Sequence, residues 1–156
     1  MRRFTDEYWM RFALAEAQKA FEEDEVPVGA VVISDNKIIG QGHNQIEKLR
    51  DPTAHAEIIA LTAASNYLNS WRLNNATMYV TLEPCIMCTG ALILARIKKL
   101  VFGAFDPKFG ACGSVYNIPM DNKLNHKFEV KTGVLAEESK LLLREFFEKK
   151  RKKNNR

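Results

Sequence analysis

Residues 76–104 read ATMYVTLEPCIMCTGALILARIKKLVFGA, and this stretch decides the fold. Ala76 to Leu82 is rich in strand-forming residues. Pro84 follows where a proline is tolerated, because the N–H groups of a first helical turn have no intrahelical acceptor. From Cys85 to about Ile97 the chain is almost wholly apolar, which predicts a helix packed on several sides. Lys99 to Ala104 then reads as another strand.

Working outward, the same alternation continues. Residues 5–23 place Trp9, Phe12, Ala13, Ala17, Ala20 and Phe21 at helical spacing, with Thr5 as N-cap. Val28 to Ile33 is a dense apolar run after Pro27. Asp35-Asn36 makes a turn and Lys37 to Gln41 returns, which reads as a hairpin. Asp51-Pro52-Thr53 can open a helix to about Tyr67, mostly buried through Ile58, Ile59, Leu61 and Leu68. Phe105 to Asn125 is irregular. Phe128 to Val134 is a last strand, and a helix runs from about Glu137 into a basic tail at 149–156. The order α-β-β-α-β-α-β-β-α argues for an α/β fold, a mixed sheet covered on both faces.

The 156 residues suit one domain spanning 1–156, with no repeat or linker to mark a second. At 46% hydrophobic and 27% charged, the composition is that of an ordinary globular protein. No stretch approaches the roughly 20 apolar residues of a membrane span, and the start lacks the apolar run of a signal peptide. Three cysteines, two of them in Cys-x-x-Cys, suggest metal chemistry in a reducing compartment, with the cytoplasm as the expected location. The net charge of +4 sits in the tail: setting aside its six basic side chains leaves 17 basic against 19 acidic residues. Such a run is either a solvated helix end or a contact for a phosphate backbone.

Two motifs carry chemistry: His55-Ala56-Glu57 and Pro84-Cys85-Ile86-Met87-Cys88. One imidazole and two thiolates suit Zn²⁺, and three protein ligands are the number a catalytic zinc uses, leaving a position for water. Cys85 and Cys88 share a helix face at an N-terminus whose dipole favours thiolates. Glu57 would carry the proton of a water whose pKa zinc lowers from about 15.7 towards ~7. A lone Cys-x-x-Cys is as often structural or redox, and a closed structural site would need a fourth ligand from His43, Cys112 or His126. Those three read more simply as surface or core histidines and a small loop residue.

These motifs, with Thr81-Leu82-Glu83 before them and Gly103-Ala104-Phe105-Asp106-Pro107-Lys108-Phe109-Gly110-Ala111-Cys112-Gly113-Ser114 after, resemble the bacterial tRNA-specific adenosine deaminases. These belong to the cytidine-deaminase-like zinc hydrolases. His-x-Glu with Pro-Cys-x-x-Cys is the signature of zinc deaminases themselves, so this match is recognition of a family pattern. The resemblance runs from Tyr8-Trp9-Met10-Arg11 to Phe146-Phe147, with Phe105 and Cys112 departing from the residue types usual there. It implies a three-layer α/β/α fold with a five-stranded mixed sheet. It also implies hydrolysis of the wobble adenosine, anticodon position 34, to inosine with release of ammonia.

In that reading His55, Cys85 and Cys88 hold one zinc per subunit and Glu57 shuttles the proton. Asn44, Val28, Ala56, Asp106, Lys108 and Phe147 would meet the tRNA anticodon stem-loop, and a homodimer would shape the RNA site. Without the resemblance, Asn44 reads as a turn residue ending a hairpin, and Phe146 or Phe147 as core. The zinc motifs also fit deaminases of free guanine, cytosine or a nucleotide. The Asp106 loop and the tail favour RNA, since aromatic rings beside a Gly-rich backbone can stack on bases for roughly 1–3 kcal/mol each. A non-catalytic RNA-binding partner would have no use for Glu57.

Overall fold

The computed structural model describes residues 2–155, so Arg156 of the basic tail lies outside the described residues. Helix α1 spans Asp6–Glu22, and the Thr5 side chain caps it by accepting the Tyr8 N–H at 3.0 Å. Strands β1 (Gly29–Ser34) and β2 (Lys37–His43) form the hairpin. Its turn residues Asp35 and Asn36 both have positive φ, at 50° and 61°, as a two-residue hairpin turn that matches strand twist requires. A single-turn helix α2 (Ile46–Leu49) and the longer α3 (Ala56–Leu68) follow. Then come β3 (Thr77–Leu82), α4 (Ile86–Leu94), β4 (Lys99–Ala104), a 3₁₀ turn at Ile118–Met120, β5 (Glu129–Lys131) and α5 (Ala136–Asn154).

The five strands form one mixed sheet in the order β2-β1-β3-β4-β5. β1 runs antiparallel to β2 and β3, whereas β4 is parallel to β3 and β5. Side-chain alternation divides the core into two layers. Ala30, Val32, Met78, Val80, Leu100 and Phe102 pack with Ala56, Ala60, Leu61 and Ala64 of α3 and Leu92 of α4. Val31, Ile33, Tyr79 and Val101 point the other way, onto Trp9, Met10 and Ala13 of α1 and Val134 before α5. Ser139 of α5 anchors that helix by donating its hydroxyl to the Thr81 carbonyl at 2.7 Å. The result is the expected three-layer α/β/α fold.

Close helix–sheet approach depends on Gly40. A Cβ there would run into the Ala60 carbonyl and the Ala64 amide of α3, so α3 lies against the β2 backbone itself. That contact fixes where the first turn of α3 emerges at the sheet rim.

Four expectations need correction. The helix expected from Asp51 starts five residues later, with His55 as the extended N-cap. Asp51 instead accepts the Thr53 N–H at 2.8 Å and the Thr53 hydroxyl at 2.7 Å, a local turn that competes with helix. Leu68, expected buried, is exposed at the helix end. Helix α4 ends at Leu94 and buries only one face, leaving Ile86 and Leu94 59% and 72% exposed. The last strand pairs only over Glu129–Lys131; beyond it Gly133 takes a positive φ of 80°, and only the Gly133 and Val134 N–H groups still reach the Gly103 and Phe102 carbonyls of β4.

Candidate active site

Two helix N-termini meet at one rim of the sheet. His55 is the N-cap of α3 and Cys85 the N-cap of α4, so each holds extended backbone and turns its side chain across the helix start. Cys88 sits one turn into α4 and is buried. The His55 Nδ1 lies 3.5 Å from the Cys85 Sγ and 3.5 Å from the Cys88 Sγ. All three donor atoms fall within 4.8 Å of one another. Tetrahedral zinc with Zn–S of about 2.3 Å and Zn–N of about 2.0 Å requires S···N separations of about 3.5 Å. The donor set therefore fits zinc in both chemistry and spacing.

Protonation follows the same geometry. The Cys85 thiol is lowered to about 4, chiefly because Cys88 donates an S–H to it, with His55 helping and burial opposing. Cys88, the donor of that pair, is shifted strongly upward. His55 is raised by its hydrogen bond to Cys85, against burial. The directions favour the thiolate form of Cys85, the form in which a cysteine binds a cation.

Glu57, at the second position of α3, is 3% exposed. Burial pushes its carboxyl up to about 7, against the lowering effect of its own backbone N–H, of His55 and of a hydrogen bond with Cys88. A carboxyl poised near neutrality next to a metal-type donor set is suited to both taking and giving a proton.

Three sequence-chosen pocket residues join this centre through a chain of hydrogen bonds. The Asn44 N–H donates to the Val28 carbonyl at 3.2 Å, and the Asn44 Oδ1 accepts the Ala56 N–H at 2.8 Å. Asn44 therefore ties the end of β2 to the first turn of α3, one residue from His55 and Glu57. With Oδ1 committed to that cap, the Nδ2 group is the part of the side chain free to donate elsewhere. Val28, Asn44 and Ala56 are all buried.

Asp106 and Lys108 lie on the loop after β4. The Asp106 Oδ1 accepts the Lys108 and Phe109 N–H groups at 3.1 and 3.2 Å, so this oxygen shapes its own turn. Phe105 and Phe109 project from the same loop, 50% and 70% exposed. Phe147 is placed apart, on α5: Phe146 packs on Phe21 with ring centroids 6.0 Å apart, and Phe147 faces outward. No hydrogen bond links Phe147 to the metal group among the described residues.

The remaining Cys and His residues are otherwise engaged. His43 contacts Glu23 at 2.9 Å and Glu16 at 3.4 Å, and His126 contacts the Ile97 carbonyl at 2.7 Å. Cys112 pairs with Thr89 at 3.2 Å, and burial raises its thiol to about 12. Sequence reasoning missed Glu83. Its carboxylate is 2% exposed and accepts hydrogen bonds from Asp106, Cys112 and Ser114. An acid directly before Pro-Cys, with a Gly-rich loop some twenty residues on, was the available signal.

Sheet order, layer arrangement and a His/Cys/Cys group on two helix N-termini define a cytidine-deaminase-like deaminase. Residues 4–151 match the family model described as MafB19-like deaminase. The chain is 48% identical over 148 residues to the tRNA-specific adenosine deaminase of Bacillus subtilis, covering 95% of this chain and 92% of that one. It is 53% identical over 147 residues to the protein of that name from Haemophilus influenzae, covering 94% and 85%. A solved structure from a study of A-to-I editing by tRNA:A34 deaminases at the wobble position superposes with a TM-score of 0.84 at 43% identity, covering 87% and 99%. A guanine deaminase from Nitrosomonas europaea superposes with 0.78 at 26% identity, covering 94% and 86%. The chain belongs to the MafB19-like deaminase family, among the tRNA-specific adenosine deaminases.

Proposed function

We propose that the chain, as a single domain spanning 1–156, is a zinc-dependent tRNA adenosine deaminase that converts the wobble adenosine, anticodon position 34, to inosine with release of ammonia. The observation that carries this reading is the buried Glu57 carboxyl, two residues along the chain from His55, beside three donors spaced for zinc. The identity of about half the residues to tRNA-specific adenosine deaminases supports RNA as substrate over the free base of the more distant guanine deaminase.

His55, Cys85 and Cys88 would hold one zinc, which when bound supplies a water acidified towards neutrality. Glu57 would take one proton from the attacking water and give it to the purine ring nitrogen, then carry the second, released as the C6 hydroxyl becomes a carbonyl, to the amine that departs as ammonia. Its position on the first turn of α3 keeps the carboxyl buried and therefore able to accept and release that proton near neutral pH. Asn44 donates its Nδ2 to the base while its Oδ1 holds the helix start in place. Val28 supplies an apolar wall, and Ala56 leaves room beside Glu57 for the base. Burial of this pocket requires the adenosine to leave its stack, which costs least in an anticodon loop.

Around the pocket, Asp106 and Lys108 present their loop to neighbouring nucleotides, with Phe105 and Phe109 as stacking surfaces. Phe147 and the basic residues after it extend this contact to the anticodon stem-loop. The exposed apolar face of α4, with Ile86 and Leu94, supports a homodimer in which a second copy covers it. Free thiols support a reducing cytoplasmic location. No helix among the described residues is long and apolar enough to cross a membrane.

The test is direct. Zinc-loaded protein is incubated in parallel with a tRNA bearing adenosine at the wobble position and with free guanine, cytosine and dCMP. Inosine at position 34 is expected, with no turnover of the small substrates. Turnover of guanine without inosine in the RNA would replace this reading with the free-base one.

A further inference from the structure

Between the metal helix and the exposed Asp106 loop stands one acidic side chain that the deamination chemistry does not use. Glu83 directly follows β3 and precedes Pro84-Cys85. Its Oε1 accepts the Asp106 N–H at 2.9 Å and the Ser114 hydroxyl at 2.5 Å. Its Oε2 accepts the Cys112 and Ser114 N–H groups, both at 3.0 Å. Four donors from one loop thus converge on a single carboxylate.

The loop is built to reach it. A Cβ at Gly110 would run into the Glu83 carboxyl group, so glycine at 110 lets the backbone wrap around the acid. The Ala111 N–H reaches the Pro84 carbonyl at 2.9 Å, and the Glu83 N–H reaches the Ala104 carbonyl at 2.8 Å. Those bonds join the loop to the residues that lead into Cys85 from both sides. The loop surface beyond them, Lys108 and Phe109, is exposed and is held by the Asp106 turn that Glu83 anchors. Loss of this one carboxylate would leave buried N–H groups without acceptors and the loop without its fixed point.

We propose that Glu83 is the positioning residue that locks the 106–114 loop to the metal-ligand helix, and that it thereby sets RNA affinity without touching metal or base. This inference rests on the reading that the loop meets RNA. Glu83→Gln is the informative variant, because its NH₂ group must face at least one of the backbone N–H donors whichever way the amide turns. Ser114→Ala removes a single donor from an exposed residue and serves as the milder variant.

The experiment measures KM and kcat on a wobble-adenosine stem-loop, zinc per chain, and amide hydrogen exchange of the 106–114 loop in the zinc-loaded full chain. For Glu83→Gln, KM is expected to rise about tenfold and loop exchange to speed up about tenfold, with kcat within about threefold and zinc retained. For Ser114→Ala, KM and loop exchange are expected to rise about threefold. Unchanged loop exchange in both variants overturns the proposal. So does a fall in kcat or zinc at unchanged KM, which would make Glu83 a support of the metal helix alone. If Glu83→Gln does not fold, the Ser114→Ala exchange and KM values decide in the same way. If the wild type forms no inosine in any stem-loop, the RNA reading fails separately, and loop exchange alone decides whether Glu83 positions the loop.

Discussion

In the proposed function Asn44 divides its two side-chain atoms between stability and substrate, and two substitutions separate these roles. Asn44→Ala deletes the Oδ1 that accepts the Ala56 N–H at 2.8 Å, at a fully buried helix start. A lost N-cap acceptor costs about 0.5–2 kcal/mol, and a buried N–H left unsatisfied costs about 1–3 kcal/mol. These describe the same loss and are not summed, so about 2 kcal/mol of destabilisation is expected. Asn44→Asp keeps an acceptor there, with a negative charge at the positive end of the α3 dipole, so its stability should stay within about 1 kcal/mol of wild type. It loses the Nδ2 donor, however, so inosine formation should fall at least tenfold, or about 1.4 kcal/mol of transition-state binding. Urea unfolding at fixed free zinc reads the first quantity and wobble-adenosine turnover reads the second. Equal destabilisation by Ala and Asp would refute the capping role, and full activity in Asn44→Asp would refute the donor role.

Two further outcomes follow from other parts of the fold. Burial alone would raise Asp6, but hydrogen bonds from Lys131 at 2.5 Å and Tyr79 at 2.7 Å, with the Lys131 charge, hold it below the ordinary 3.8. A carboxyl lowered in the folded state stabilises fully above its unfolded pKa and loses that stabilisation as pH falls through its folded pKa. The wild-type advantage over Asp6→Asn should therefore be constant above about pH 5 and vanish progressively below about pH 4, as read by denaturation at each pH; a pH-independent difference would contradict it. Truncation after Phe147 should weaken stem-loop binding and flatten its log–log salt dependence by about 2 to 4, with kcat unchanged, and an unaltered salt slope would remove the tail from the RNA interface.

Local chemistry makes much of the molecule legible in the sequence. Alternation of strand and helix patterns predicts every long element, and helix-start residues predict the donor cluster, because caps and periodicity act within a few residues along the chain. Boundaries fail where side chains compete with the backbone. The Asp51–Thr53 turn, at 2.7–2.8 Å, delays α3 to Ala56. The short α2 escapes a sequence reading because its first amides are satisfied by Glu25, whose carboxylate accepts the Glu47 and Lys48 N–H groups from more than twenty residues away. Glu83 is hidden for the same reason, its partners lying 23 to 31 residues along the chain. Asn44 as a pocket residue comes from family resemblance alone, since only the folded chain places it beside Ala56. The apolarity of α4 reads as burial, whereas part of it is surface.

The central claim is that a buried carboxylate beside a His/Cys/Cys zinc group deaminates a base in RNA. Single-turnover inosine formation by zinc-loaded Glu57→Ala on a wobble-adenosine stem-loop, with zinc measured in the same sample, tests it most directly. One zinc per chain should remain while the rate falls at least about 10²- to 10⁴-fold, the range for removal of a positioned proton carrier. An unchanged rate with zinc retained, or loss of the zinc itself, would contradict the role assigned to Glu57.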